Sequence, residues 1–173
     1  MVIEPLADNH DRSSFDCGVV RLNDFLRKTA KQHAAKDVGV THVVVENAGS
    51  PQIIGFETLT IKSVTRELLP NASKLPRGDY SVAFVGQLAV DSRFQGRGIG
   101  TRLLYFALFK ALEVSDVFGL IGVALDVLSE EGESPDEHAK RLQFYLDRGF
   151  QPLSDGSSRL YLPISTVRKM GLR

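Results

Sequence analysis

The stretch Gln87-Leu-Ala-Val-Asp-Ser-Arg-Phe-Gln-Gly-Arg-Gly-Ile-Gly-Thr-Arg-Leu-Leu104 constrains this chain more than any other. An apolar strand runs into a turn with glycine at every second position, and an apolar-periodic helix follows at once. Gly96, Gly98 and Gly100 can take positive φ and let a ligand oxygen approach the main chain. The first N–H groups of the helix lack internal partners, and with the helix dipole behind them they favour an anion. Arg93, Arg97 and Arg102 add positive charge that a simple bend would not need. The spacing is not the dinucleotide fingerprint, and it lacks the Gly-Lys-Ser/Thr ending of a P-loop. It reads as a cradle for a pyrophosphate, against the plainer alternative of a glycine turn with no ligand.

The rest of the chain gives the cradle an α/β setting. A length of 173 residues suits one domain, residues 1–173, with a core of its own. The order of elements is a short strand over Ile3 to Pro5, an amphipathic helix carrying Leu22, Phe25, Leu26, Thr29, Ala30 and His33, and a hairpin from Val40–Glu46 and Gln52–Ile61. An irregular polar insertion spans Arg66 to Asp79. Tyr80 to Val90 leads into the cradle, and Ile99 to Val114 leaves it, with Leu103, Leu104, Ala107, Leu108, Ala111 and Leu112 on the buried side. The apolar run Leu120 to Leu128 suits a strand buried on both faces and parallel to a neighbour. Ser134-Pro135-Asp136-Glu137 has the parts of a capping box, and its helix carries Ala139, Leu142, Tyr145 and Leu146 on a common side before Gly149 ends it. A last strand runs from Arg159 to Ile164.

Charge and cysteine usage narrow the function. No apolar run reaches the length of a membrane span, and the N-terminus lacks the pattern of a secretory signal, so a cytoplasmic protein without a membrane partner is expected. Cys17 is the only cysteine and the four histidines lack ligand spacing, so neither a disulfide nor a metal is expected. The 21 basic and 21 acidic residues cancel, yet eight of the acids fall between Glu113 and Ala139, where no Lys or Arg occurs. The remaining basic excess, in Arg21 to Lys36 and Arg93 to Lys110, leaves room for a basic face.

Gln95-x-x-Gly98-x-Gly100, entered from Leu88-Ala89-Val90-Asp91, resembles the acetyl-CoA signature of the GCN5-related N-acetyltransferases, the GNAT family. Phe144-Tyr145-Leu-Asp-Arg-Gly149-Phe150 is similar to the end of that family's fourth helix. The resemblance implies a GNAT fold, a mixed central sheet that splays at a bulge where acetyl-CoA enters, with helices on its flanks. It puts Leu88, Ala89 and Val90 on the pantetheine and acetyl carbonyl, and Gln95, Gly96, Arg97, Gly98, Ile99, Gly100 and Thr101 on the pyrophosphate. It makes Tyr145 the general acid for the departing thiolate, a task that a phenol with pKa near ~10 can perform.

The implied activity is acetyl transfer from acetyl-CoA to a primary amine, of a small molecule or a peptide, by direct attack in a ternary complex. A scaffold that binds CoA without turning it over is the competing class. Glu57 would serve as base through water if it faced the cleft, with His42 and His138 as further candidates. A narrower resemblance, carried by Phe15-Asp16-Cys17-Gly18, Leu22-Asn23-Asp24-Phe25-Leu26-Arg27 and Gly86 to Asp91, is to the GNAT toxins of bacterial toxin-antitoxin modules. It implies an aminoacyl-tRNA acceptor and a ribbon-helix-helix antitoxin, with phosphates held by Arg21, Arg27, Lys28, Lys31, Arg93, Arg97 and Arg102. The acidic segment Glu130 to Glu137 is an insertion relative to that pattern, and a homodimer is compatible with it.

Overall fold

The computed structural model describes residues 1–172. It has strands β1 (Val2–Pro5), β2 (Val40–Val45), β3 (Gly55–Thr65), β4 (Asp79–Val90), β5 (Gly122–Asp126), β6 (Gln151–Pro152) and β7 (Arg159–Pro163). Its helices are α1 (Val20–Asp24), α2 (Ala30–Ala35), α3 (Ile99–Ser115), α4 (Pro135–Leu146) and α5 (Ile164–Lys169). The architecture is α/β, a seven-stranded mixed sheet in the order β1-β2-β3-β4-β5-β7-β6 with flanking helices. Among the described residues, no helix is long and apolar enough to cross a membrane.

The chain divides into two compact units, the first made of Met1–Thr60 with Val85–Ala107. In it β2 runs antiparallel to both β1 and β3, with His42 opposite Glu57 and Val43 opposite Phe56. The ladder opens at Gly55 rather than Gln52, because Gln52 forms a parallel bridge with Asp11 and the Asp11 N–H donates to the Pro51 carbonyl at 2.8 Å. Phe15, Leu26, Val43, Phe56 and Ala89 belong to one apolar cluster. The Phe15 ring meets Phe56 edge-on at 5.4 Å, and Phe25 stacks on the same ring at 6.2 Å. The first helix is not uniform, since α1 and α2 flank a π turn over Phe25–Thr29. Such a widened turn leaves no trace in a 3.6-residue pattern. His33 packs edge-on against Phe25 at 5.4 Å, the packing role expected of it.

The second unit takes in Ile61–Phe84 and the chain from Leu108 onward. Its core holds Val64, Leu69, Val82, Phe84, Ala124, Leu153 and Tyr161. Strand β7 lies antiparallel to β5 and β6, with Ala124 opposite Tyr161. The polar insertion carries two 3₁₀ turns, Arg66–Leu68 and Ala72–Lys74. The capping box of α4 is formed: the Ser134 hydroxyl accepts from the Glu137 N–H at 3.2 Å, and the Glu137 carboxylate accepts from the Ser134 N–H at 2.8 Å. Gly149 ends the helix at φ +89°. Tyr145 is buried and Leu142 and Leu146 are half-buried, but Ala139 is exposed, because only the C-terminal half of α4 meets the core. β6 and α5 are too short for periodicity to announce them.

The six positions expected on the inner side of α3 are all buried. Close packing also fixes Gly122, where a Cβ would collide with the Tyr161 ring and lie 2.6 Å from the Leu162 carbonyl oxygen. Backbone on one side leaves no flexible group to yield. Gly122→Ala is expected to cost at least about 1–3 kcal/mol, read as a lower urea midpoint at unchanged slope. An unaltered midpoint would mean that β5 and β7 separate at little cost.

Candidate active site

The turn after β4 has the backbone its sequence predicts, with one exception. Gly96 and Gly98 stand at φ +75° and +77°. A Cβ at either would meet nothing within 4 Å, so the main chain of the turn is open to a ligand. Gly100 is not among the positive-φ glycines: it lies in the first turn of α3, where no unusual dihedral is needed. Ile99 is buried as the first residue of α3, and the earliest helical bond in this turn runs from the Arg102 N–H to the Gly98 carbonyl at 3.1 Å. The residues before it form the N-terminal end of a 17-residue helix, the end that favours an anion. An anionic diphosphate fits such a cradle.

Side chains around the turn shape it rather than fill it. Gln95 donates to the Val90 carbonyl at 2.9 Å and to the Cys17 carbonyl at 3.3 Å. Arg93, expected to lend charge to the cradle, is instead held by Asp91, with Nε on one carboxylate oxygen and Nη2 on the other at 2.8 Å each. Those bonds, chiefly, keep the Asp91 carboxyl below its ordinary pKa. Arg97 donates to the Arg93 carbonyl at 3.2 Å and lies over the Phe94 ring at 5.3 Å, while Arg102 donates to the Met1 carbonyl at 2.7 Å. Thr101 is half-buried in the first turn of α3. Of the strand residues, Ala89 is buried in the Phe15 cluster, and Leu88 and Val90 pack on the opposite side with Ile99 and Leu103.

The other expected cations are largely committed as well. Lys28 pairs with Asp24 at 3.0 Å, Lys31 with Asp8, and Arg21 donates to Gln87 at 3.0 Å. Arg27 bonds the Phe15 carbonyl at 2.7 Å. The basic face is therefore weaker than its residue count suggests.

Tyr145 belongs to the second unit, near the end of α4. Phe144 and Phe150 meet its ring edge-on, at 5.0 and 6.0 Å. Burial, the largest influence, pushes its phenol above the usual tyrosine range, with Arg141 and Arg148 pulling the other way. The group thus keeps its proton at neutral pH. Arg141 in turn grips Glu133 through Nε at 2.9 Å and Nη2 at 2.8 Å, and this grip, above all, brings the Glu133 carboxyl down to about 2. One acid of the inserted segment is thereby neutralised locally.

Each of the three base candidates has an internal partner on one atom. Glu57 is fully buried, and its Oε1 lies 2.8 Å from His42 Nδ1 while its Oε2 has no partner. The carboxyl lies under α3 rather than toward an opening: a Cβ on Gly55, two residues earlier on the same face, would touch Leu103 and Ile99, and the His42 ring packs on Phe106 at 4.9 Å. His138 Nδ1 lies 3.3 Å from Glu133. Burial, the dominant cause, raises the Glu57 pKa against the opposing pull of His42. A raised folded-state pKa contributes stability that is complete below the unfolded value and disappears as pH rises through the folded one. Glu57→Gln is therefore expected to flatten the fall of Tm with pH above the ordinary carboxylate range; an identical slope in both proteins would show that Glu57 does not carry the titration.

Sequence reasoning missed Asp16, Asn23 and Asp91, which bond the segment before α1 to the segment before the cradle. The available signal was a buried-type position, Asn23, occupied by an amide.

The family model described as "Acetyltransferase (GNAT) domain" matches residues 37–152. The "Probable toxin TacT" of Sinorhizobium fredii (strain NBRC 101917 / NGR234) is 33% identical over 173 residues, covering 98% of this chain and 94% of that protein. The "tRNA-acetylating toxin" of Mycobacterium tuberculosis (strain ATCC 25618 / H37Rv) is 28% identical over 130 residues, 75% of this chain and 76% of its own. Among solved structures, AtaT complexed with acetyl-methionyl-tRNAfMet gives a TM-score of 0.85 at 26% identity over 98% of both chains. AtaTR bound with AcCoA gives 0.82 at 27% identity, covering 98% of this chain and 97% of that one.

Proposed function

We propose, for a chain that belongs to the acetyltransferase (GNAT) family, that the acetyl group is passed to the α-amine of an aminoacyl-tRNA and that the protein is the toxin of a toxin-antitoxin pair. Family membership makes it an N-acetyltransferase that draws its acetyl group from acetyl-CoA. The acceptor is the part inferred here. The observation that carries it is the similarity along nearly the whole chain to a probable TacT toxin, 33% identical over 98% of this chain. An amine that attacks without a protein base must already be neutral. An α-amine, with a pKa of about 7.7–8.0, meets that condition near neutral pH, whereas a lysine at about 10.4 does not. The similarity to a tRNA-acetylating toxin and to AtaT complexed with acetyl-methionyl-tRNAfMet supports the same acceptor.

In this scheme the main-chain N–H groups of Gly96 to Thr101 hold the pyrophosphate, and β4 from Leu88 to Val90 aligns the thioester. When bound, acetyl-CoA supplies an activated acyl group. The amine nitrogen bonds to the acyl carbon, the carbon–sulfur bond breaks, and Tyr145 gives its proton to the sulfur as charge gathers there. The amine sheds one proton to solvent, and Tyr145 takes one back from solvent to restore the phenol. A toxin also implies a neutralising partner, for which the family resemblance supplies a ribbon-helix-helix antitoxin, and charged tRNA as acceptor implies the cytoplasm.

Incubation with acetyl-CoA and a total aminoacyl-tRNA pool is expected to give N-acetylated aminoacyl-tRNA. Tyr145→Phe should bind acetyl-CoA as before and lose about 10²- to 10⁴-fold in turnover, the usual share of general acid catalysis. No acetylation of the pool would eliminate the tRNA acceptor. Equal turnover in the mutant would remove Tyr145 from the chemistry.

A further inference from the structure

The acetyl-transfer scheme leaves one sequence motif without a task, the run Phe15-Asp16-Cys17-Gly18 followed by Asn23. Asn23 is only 7% exposed, in a helix start that otherwise offers apolar side chains to the core. Burying an amide is costly unless its atoms are bonded. Here they are: Nδ2 donates to Asp16 Oδ1 at 2.8 Å, and Oδ1 accepts from the Cys17 N–H at 3.0 Å and the Cys17 thiol at 3.2 Å. Asp16 Oδ1 also accepts from the Gly18 N–H at 2.9 Å, and this bond, followed by that from Asn23, lowers the Asp16 pKa. The side chains of Asp16 and Asn23 thus set the shape of a short loop.

That loop is fastened to the approach to the cradle. The Asp16 N–H donates to Asp91 Oδ2 at 3.2 Å, and the Asp16 carbonyl accepts from the Ser92 N–H at 2.8 Å. The Cys17 carbonyl accepts from Gln95 at 3.3 Å, and the Ser14 carbonyl from Arg93 at 3.4 Å. Asp91, at the centre, is 1% exposed and fully bonded through Arg93 and Asp16. Gln95 is the last residue before Gly96, and no side chain packs where a Cβ of Gly96 or Gly98 would be. The turn is thus held at its two ends, by α3 downstream and by this clasp upstream.

We propose that Asp16 and Asn23 are positioning residues that hold the cofactor turn in its binding conformation through Asp91 and Gln95, without touching the cofactor. The proposal rests on the turn being the pyrophosphate site. Because linkage is reciprocal, acetyl-CoA in the turn must also tighten the 16–18 loop.

The test is calorimetry with acetyl-CoA on the full chain and on Asn23→Asp, a change that keeps the shape, removes the donor and sets a second carboxylate against Asp16. The Kd is expected to rise about tenfold or more, as for loss of one hydrogen bond to a charged group, with the number of sites per folded chain unchanged. General damage to the fold would do the reverse, lowering the number of sites at constant Kd, and would overturn the proposal. In the wild-type protein, where no variant need fold, acetyl-CoA should slow hydrogen exchange at the Asp16, Cys17 and Gly18 amides. Binding without slowed exchange at these amides would also overturn it. Absence of any wild-type binding would instead refute the pyrophosphate turn itself, and this inference with it.

Discussion

Main-chain N–H groups can bind a diphosphate only if the turn that carries them is held open before the ligand arrives. Otherwise the entropy of ordering that turn is charged against binding. Several features around the turn meet this constraint. Positive φ at Gly96 and Gly98 leaves the turn unobstructed, the long helix α3 anchors one end of it, and Asp91 with Gln95 anchors the other. The arginines nearby, read singly, suggest direct charge on the ligand; Arg93 in fact neutralises Asp91, which allows that carboxylate to be buried. Charge here is used to build the cradle more than to fill it.

The second unit holds Tyr145, the proposed acid, in a different setting. Tyr145 is enclosed by two aromatic rings and, under the influence of burial, keeps its proton. Arg141, which weakly opposes that effect, is occupied with Glu133, so the acidic insertion and the helix bearing Tyr145 are tied together by one bidentate pair. The same insertion, seen only as charge, argues against an anionic acceptor. With Glu133 bound to Arg141 the argument is weaker, though so is the basic face, now that Lys28, Lys31 and Arg93 each meet a carboxylate.

The sequence was most legible where a local rule acts on consecutive residues. The strand, glycine turn and helix around Gly98, the capping box at Ser134 and the inner side of α3 all follow from patterns within a few turns of chain. What stayed hidden depends on residues far apart in sequence. The π turn at Phe25–Thr29 is invisible to periodicity. Glu57 could be nominated as a base only because nothing in its strand reveals that α3 covers it. Asp16 and Asp91 are 75 positions apart, and each alone looks like an ordinary loop acid.

The account's central claim is that the main chain from Gly96 to Thr101 receives the pyrophosphate. Backbone amide resonances followed through a titration with acetyl-CoA test it most directly. The account predicts that the largest shifts fall on Gly96, Gly98, Ile99 and Gly100 and saturate together with the calorimetric binding curve. Binding heat accompanied by unmoved amides at these positions, with the shifts concentrated elsewhere in the chain, would contradict it.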